Sequence, residues 1–218
     1  MEWQKVLENR NHTFVFDQDR IPDKSLIDTI VLEMHRKCPS KQKRVPYQIH
    51  ILDQSDPDLR LDLYKYTDRN PSSEDPHHNH YNPQVLAPYL FVWSMRPKHT
   101  VQSEVLEKET ITGIRINEEY DEEEYLYTVT NLEVGLSSMF VSLSAAAHGL
   151  AAGYCKCIND NDEIKEKYGF YPILMMGIGY PSKKSDTFFC PVNQKEMYTP
   201  NDNWLSKPEI DQYVHYSV

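Results

Sequence analysis

The stretch from Val134 to Cys155, VGLSSMFVSLSAAAHGLAAGYC, contains no Asp, Glu, Lys or Arg. A segment of that length can cross a bilayer. Its content argues against this. Ser137, Ser138, Ser142, Ser144 and His148 interrupt it, and much of the rest is Ala and Gly. The large apolar residues Leu132, Leu136, Met139, Phe140, Leu143 and Leu150 recur mostly at helical spacing. The expectation is one long helix over residues 128–152, buried inside a soluble fold and not in a membrane.

On both sides of this helix the chain alternates between apolar strands and amphipathic helices. Pro172 to Ile178 is an apolar run ending at Gly179-Tyr180-Pro181, and Pro88 to Met95 is another. Both predict buried strands. Tyr47 to Leu52 alternates, so it predicts a third strand with Ile49 and Ile51 on one face. Residues 2–9 predict a short helix. A second helix opens at Ile21-Pro22-Asp23-Lys24, with Leu26, Ile27, Ile30, Val31 and Met34 on the 3.6-residue period. It should end near Cys38, because Pro39 disfavours helical backbone in the residue before it. Asp56–Tyr66 and Asp160–Lys167 predict two more helices. Strands separated by helices give an α+β or α/β sandwich around one sheet.

Three stretches stand apart. Residues 67–83, rich in Pro, Asn, Asp and His, predict a long polar loop. Residues 96–125 carry nine acidic and four basic residues, half of the excess negative charge of the chain. They predict a solvated insertion or lid. Residues 182–218 are polar with little periodicity and predict a C-terminal arm. All 218 residues suit a single domain.

Composition limits the function. With 23 Lys and Arg against 33 Asp and Glu, the net charge is −10. A protein that grips nucleic-acid phosphates needs a dense basic face instead, so no nucleic-acid partner is expected. Four cysteines make no disulfide scaffold. The amino end, MEWQKVLENR, lacks the apolar core of a secretion signal. A reducing, cytoplasmic setting and no membrane partner follow as expectations.

Few motifs carry chemistry by themselves. His77, His78 and His80 are close enough in sequence to hold a metal, but no Cys or acidic pair stands beside them at a recognised spacing. A polar loop explains them as well, and no metal is expected. Cys155-Lys156-Cys157 has one residue too few for the redox pair C-x-x-C. Lys156 can lower a neighbouring thiol pKa, or the three can simply leave a helix. There is no G-x-S-x-G nucleophile motif, and no G-x-G-x-x-G or P-loop.

The order of weaker motifs says more. Arg10-Asn11-His12-Thr13-Phe14 precedes a helix, then Cys38-Pro39-Ser40, then Pro46-Tyr47 and a strand. Ala87-Pro88 opens a further strand, Glu133 to Gly153 makes a long helix that includes His148-Gly149-Leu150, and Gly177-Ile178-Gly179-Tyr180-Pro181 closes the series. Over residues 1–181 this order resembles the nitroreductase family of FMN-dependent oxidoreductases. The resemblance implies an α+β, three-layer sandwich with a central mixed, mostly antiparallel sheet flanked by helices. It implies FMN as cofactor, NAD(P)H as co-substrate, a small conjugated acceptor such as a nitroaromatic or quinone, and a homodimer sharing its flavin sites. FMN carries a dianionic phosphate, which calls for Arg, Lys and hydroxyl donors.

By the same resemblance Arg10 holds the phosphate, and His12 stands at the family's Ser. Pro39 and Ser40 line the flavin, and Lys43 stands at the family's Asn by the pyrimidine edge. Residues 154–157, including Cys155 and Lys156, run past the ring. Lys183 or Lys184 supplies a C-terminal phosphate contact. No catalytic acid or base is assigned, since the cofactor carries the chemistry. The sequence departs from the family pattern at Phe14, where a second basic residue is usual, and at Lys43, Val45 and Tyr47. These departures leave open a protein that keeps the scaffold as a binding module with weak or no turnover, or a specialised dehalogenating or flavin-modifying branch.

Overall fold

The computed structural model describes residues 2–67, 81–97, 123–158, 161–183, 187–192 and 194–198, with single residues or pairs between 100 and 107 and at 212. Helix α1 spans Trp3–Asn9 and α2 Lys24–Lys37. Strand β1 spans Tyr47–Leu52, α3 Pro57–Lys65 and β2 Tyr89–Met95. The long helix α4 spans Glu123–Ala147, followed by β3 at Ala151–Cys155, α5 at Asn161–Tyr168 and β4 at Pro172–Gly179. A hairpin, β5 at Thr187–Cys190 with β6 at Lys195–Tyr198, comes last. Short 3-10 turns occupy Lys41–Lys43 and Pro83–Leu86. No helix among the described residues is long and apolar enough to cross a membrane.

The main sheet has the order β1-β2-β4-β3, every pair antiparallel. The mixed character comes from its far edge, where residues 11–13 run beside β3 through a parallel bridge, His12 to Ala152. Side chains alternate across a strand, and that alternation sorts the core into two layers. Tyr89, Phe91, Trp93, Met176, Ile178 and Ala152 face α2 and α4. Leu90, Val92, Met175 and Cys155 face α3 and α5. The molecule is therefore the expected α+β, three-layer sandwich.

Four expectations need correction. Helix α4 starts at Glu123, inside the acidic stretch, and stops at Ala147 instead of 152. The stop is a Schellman cap. Leu150 N–H donates to Ala145 O at 2.8 Å and Gly149 N–H to Ala146 O at 3.1 Å, with Gly149 at φ +76°. The Ala151–Cys155 segment, expected as helix end and exit, is an edge strand. Ile51 does not share the burial of Ile49: it is exposed, because β1 is an edge strand and nothing covers its end. Part of the presumed arm is the β5–β6 hairpin, whose Phe188 and Cys190 join the lower core. Most of 96–125, residues 68–80 with the three histidines, and Trp204, Tyr213 and Tyr216 lie outside the described residues.

The serines of α4 turn inward. Ser137, Ser138 and Ser142 are buried with Ala145 and Ala146. Trp93 Nε1–H donates to Ser137 Oγ at 2.9 Å, and Tyr154 O–H to Ser138 O at 3.1 Å. Small residues let the helix sit close on the sheet, and their polar atoms satisfy the buried aromatic donors. At the far end of α4, Ser144 Oγ donates to Glu33 of α2, and His148 Nε2 lies 3.3 Å from the same carboxylate.

Two measurements check this packing. A Cβ at Gly177 would lie 2.1 Å from the Gln84 carbonyl oxygen and 2.6 Å from Ala87 Cβ, whereas one at Gly149 would meet nothing within 4 Å. Gly177→Ala should cost about 2–3 kcal/mol in chemical denaturation and Gly149→Ala about 1 kcal/mol, from φ alone. Equal costs would contradict the docking of Gln84 on β4. The Ser144 bond, and after it His148, holds the Glu33 carboxyl below its ordinary pKa. A lowered folded-state pKa gives stability that is complete above the unfolded value and lost as pH falls through the folded one. Melting temperatures between about pH 5 and pH 2 should therefore fall less steeply in Glu33→Gln than in the parent; parallel slopes would show that Glu33 contributes nothing.

Candidate functional site

Residues 10–17 are extended and lie across the end of the sheet. Thr13 N–H donates to Ala152 O at 3.0 Å, Asp17 N–H to Tyr180 O at 2.8 Å, and Ser182 N–H to Val15 O at 2.9 Å. The docking requires glycine at two places. A Cβ on Gly153 would lie 2.0 Å from the Thr13 carbonyl oxygen, and one on Gly179 would lie 3.1 Å from the Phe16 ring. The glycines of Gly177-Ile178-Gly179 thus serve packing: they admit the 83–86 turn and Phe16.

Alternation along this segment separates two sets of side chains. Asn9, Asn11 and Thr13 line a cavity of about 390 Å³ with Gly149 and Pro181. His12 and Phe14 point the other way, towards Tyr154. The His12 ring stacks on Tyr154 at 6.4 Å and meets Phe14 edge-on at 4.5 Å. Tyr154 N–H donates to His12 Nδ1 at 3.4 Å. In the neutral ring the proton is then on Nε2. Burial pushes the Tyr154 phenol up, while Ser142, Ser138 and the positive charge of Arg10 pull it down. Arg10, half-buried at the end of α1, is therefore part of the same group. Lys156 is exposed just beyond.

The remaining predicted residues are placed differently. Cys155 points through the sheet into the lower core, so only its backbone can face a ligand beside Tyr154. Lys183 follows the Ser182 bridge, and Lys184 lies outside the described residues. Pro39, Ser40 and Lys43 form a second group, tied to the middle of α4. Lys41 N–H donates to Glu133 Oε1 at 2.8 Å, and Val45 N–H to Ser40 Oγ at 2.8 Å. Arg96 donates to the carbonyls of Arg44 and Val45 and pairs with Glu104. Ser40 lines a cavity of about 250 Å³ with Cys38, His35 and Tyr47. Glu133, which holds the Lys41 N–H, and Ser138, whose carbonyl accepts from the Tyr154 hydroxyl, are about 7.5 Å apart along the helix axis.

Sequence reasoning missed Glu133 and Arg44, both buried. The signal for Glu133 was available: it lies on the stripe of Ser137 and Val141, every fourth residue of α4.

No family model and no curated protein matches this sequence. Solved structures do. The NfrA1 nitroreductase from B. subtilis matches with TM-score 0.63 and 21% identity, covering 84% of this chain and 67% of that one. A nitroreductase-like protein from Streptococcus mutans matches with TM-score 0.68 and 17% identity over 99% of this chain and 98% of the other. The chain has the nitroreductase fold. A third neighbour with that fold is a candidate nitroreductase from Exiguobacterium sibiricum, solved in complex with FMN. It matches with TM-score 0.66 and 16% identity over 100% of this chain and 98% of that one.

The residue types beside Tyr154 on this edge, a guanidinium at Arg10, an imidazole at His12 and the exposed Lys156, suit a phosphate, and charge-assisted contacts of this kind are the strong ones. The placement of Arg10 has a direct check. Arg10→Ala should raise the titration midpoint of Tyr154, followed by carbon-13 NMR at the ring Cζ, because a cation that favours the phenolate is removed. An unchanged midpoint would take Arg10 out of the group.

Proposed function

We propose that the protein is an FMN-dependent oxidoreductase, acting in the cytoplasm as a homodimer. It would take reducing equivalents from NAD(P)H and deliver them to a small conjugated acceptor such as a nitroaromatic or quinone. What supports this is the grouping of Arg10, His12, Tyr154 and Lys156 on one sheet edge, in a fold shared with nitroreductases that include one solved with FMN. FMN, when bound, supplies two-electron hydride transfer, first from NAD(P)H and then to the acceptor.

The chain's residues bind and orient. Arg10 offsets the phosphate charge, joined by Lys183 or Lys184. His12 donates through Nε2–H, and Tyr154 carries the His12 ring. The backbone of residues 154–157 runs along the ring system. Pro39, Ser40 and Lys43 belong to the same site through a second copy of the chain. Lys43 then places a cation at the pyrimidine edge, where negative charge collects on reduction.

The outer face of α4 supports the dimer. Leu132, Leu136 and Met139 are exposed at 65%, 41% and 44%, on one face of the helix, with Tyr127 at 56%. An apolar patch of this kind marks an interaction site. The Ala- and Ser-rich face of the same helix packs on its own sheet.

One observation favours a second reading, a binding module without turnover: the Phe14 ring occupies the place of a second phosphate cation and packs on His12. The spectrum of the freshly purified protein separates the two. Flavin absorption bands support the enzyme; a colourless protein that does not take up added FMN supports the module. Arg10→Ala should weaken FMN at least about tenfold, the scale of one charged hydrogen bond; an unchanged dissociation constant removes the phosphate assignment. Leu136→Asp should convert a dimer to a monomer in light scattering, and a parent that is already monomeric with full flavin occupancy would contradict the shared site.

A further inference from the structure

A cavity of about 480 Å³ opens on the side of the sheet away from α2 and α4, between α3, the Pro83–Leu86 turn and β5. Its size lies within the range of sites for small organic ligands. Val15, Phe16, Leu61, Leu86 and Phe188 line it together with three prolines and Gln18, and Phe189, 59% exposed, also lines it. Among the described residues the wall holds one charged group, Arg60.

Arg60 is an unusual residue to find there. It is 9% exposed. Its guanidinium donates to the Asp53 carbonyl at 3.3 Å and to the Ala87 carbonyl, and its Nε–H has no hydrogen-bond partner among the described residues. None of these partners is a carboxylate. Asp53 and Asp56 act on it only through space, and the Asp53 carboxylate is itself bonded by Ser55. A buried guanidinium without a paired anion is costly, and the cost falls when an anion joins it. Burial accordingly pushes its pKa down. An apolar chamber with one under-compensated cation in its wall selects for a ligand with a hydrocarbon body and one negative end.

We propose that this cavity binds a small aromatic carboxylate, its carboxylate on Arg60 and its ring among Val15, Leu61 and Phe188. The site is independent of the flavin assignment. It lies across the sheet from Tyr154, which packs on α4.

Calorimetric titration at neutral pH with 2-naphthoate and with 2-naphthol, which has the same rings and no charge, tests the proposal. Naphthoate should bind the parent protein at least tenfold more tightly than naphthol. Arg60→Met should bring naphthoate down to the naphthol value. Leu61→Trp keeps Arg60 and fills the chamber, so it should abolish binding of both; it serves also if Arg60→Met does not fold. Saturating FMN should leave the naphthoate affinity unchanged. No binding to the parent, equal affinity for the two probes, indifference to Leu61→Trp, or displacement by FMN would each overturn it.

Discussion

The arrangement rests on the absence of side chains at three points of the sheet edge. At Gly153 the carbonyl of Thr13 occupies the position a Cβ would need, at Gly177 the carbonyl of Gln84 does so, and at Gly179 Phe16 and Pro88 crowd in. These contacts lay residues 10–17 across β3 and the end of β4. That placement brings Arg10 and His12 to Tyr154. Larger residues at these points would push the segment off the sheet, and the cationic group would lose its geometry before any charged residue was altered. The geometry of this edge is therefore a consequence of close packing against glycine, with Arg10 and His12 carried on it.

Helix α4 divides the remaining labour. Its inner face is small and polar, where a globular helix usually presents large apolar residues to the core. The sheet fills the core in its place, with Trp93, Phe91 and Tyr154 reaching up to the serines. The large residues Leu132, Leu136 and Met139 are left on the outside. A helix built in this way presents two different faces: the small, polar one packs on its own sheet, and the large apolar residues stay exposed among the described residues.

The fold was largely legible because its signals are local and periodic. Helix α2, β2 and β4 follow directly from Ile27, Ile30 and Met34, and from two unbroken apolar runs. Strand β3 was not legible. Ala-Ala-Gly-Tyr-Cys lacks the β-branched residues that mark strands, and it continues an Ala-rich helix; only the positive φ of Gly149 separates the two. The inward turn of the α4 serines was also hidden. Sequence hydrophobicity puts leucine inside, and only the aromatic donors of the sheet reverse that preference. At the site, the order of motifs pointed to Arg10 and His12, but not to Glu133 or Arg60. Their roles come from burial and from partners distant in sequence.

The 40–46 loop shows how much structure is spent on a short polar segment. Lys43 and Val45 both have positive φ, 56° and 48°. For a β-branched residue that is a true outlier, and such positions cost on the order of 1–3 kcal/mol each. The loop persists because it is tied from several sides: Glu133 on Lys41, Ser40 on Val45, Arg96 on Arg44 and Val45, and Arg96 N–H on the Pro46 carbonyl. Each tie contributes about 1 kcal/mol, enough together to hold the strained shape. A loop that only joined α2 to β1 could relax into ordinary backbone. This one is fixed with Ser40 beside a cavity and Lys43 exposed. The strain is held by the surrounding bonds, and those bonds set where the Ser40 hydroxyl and the Lys43 backbone stand.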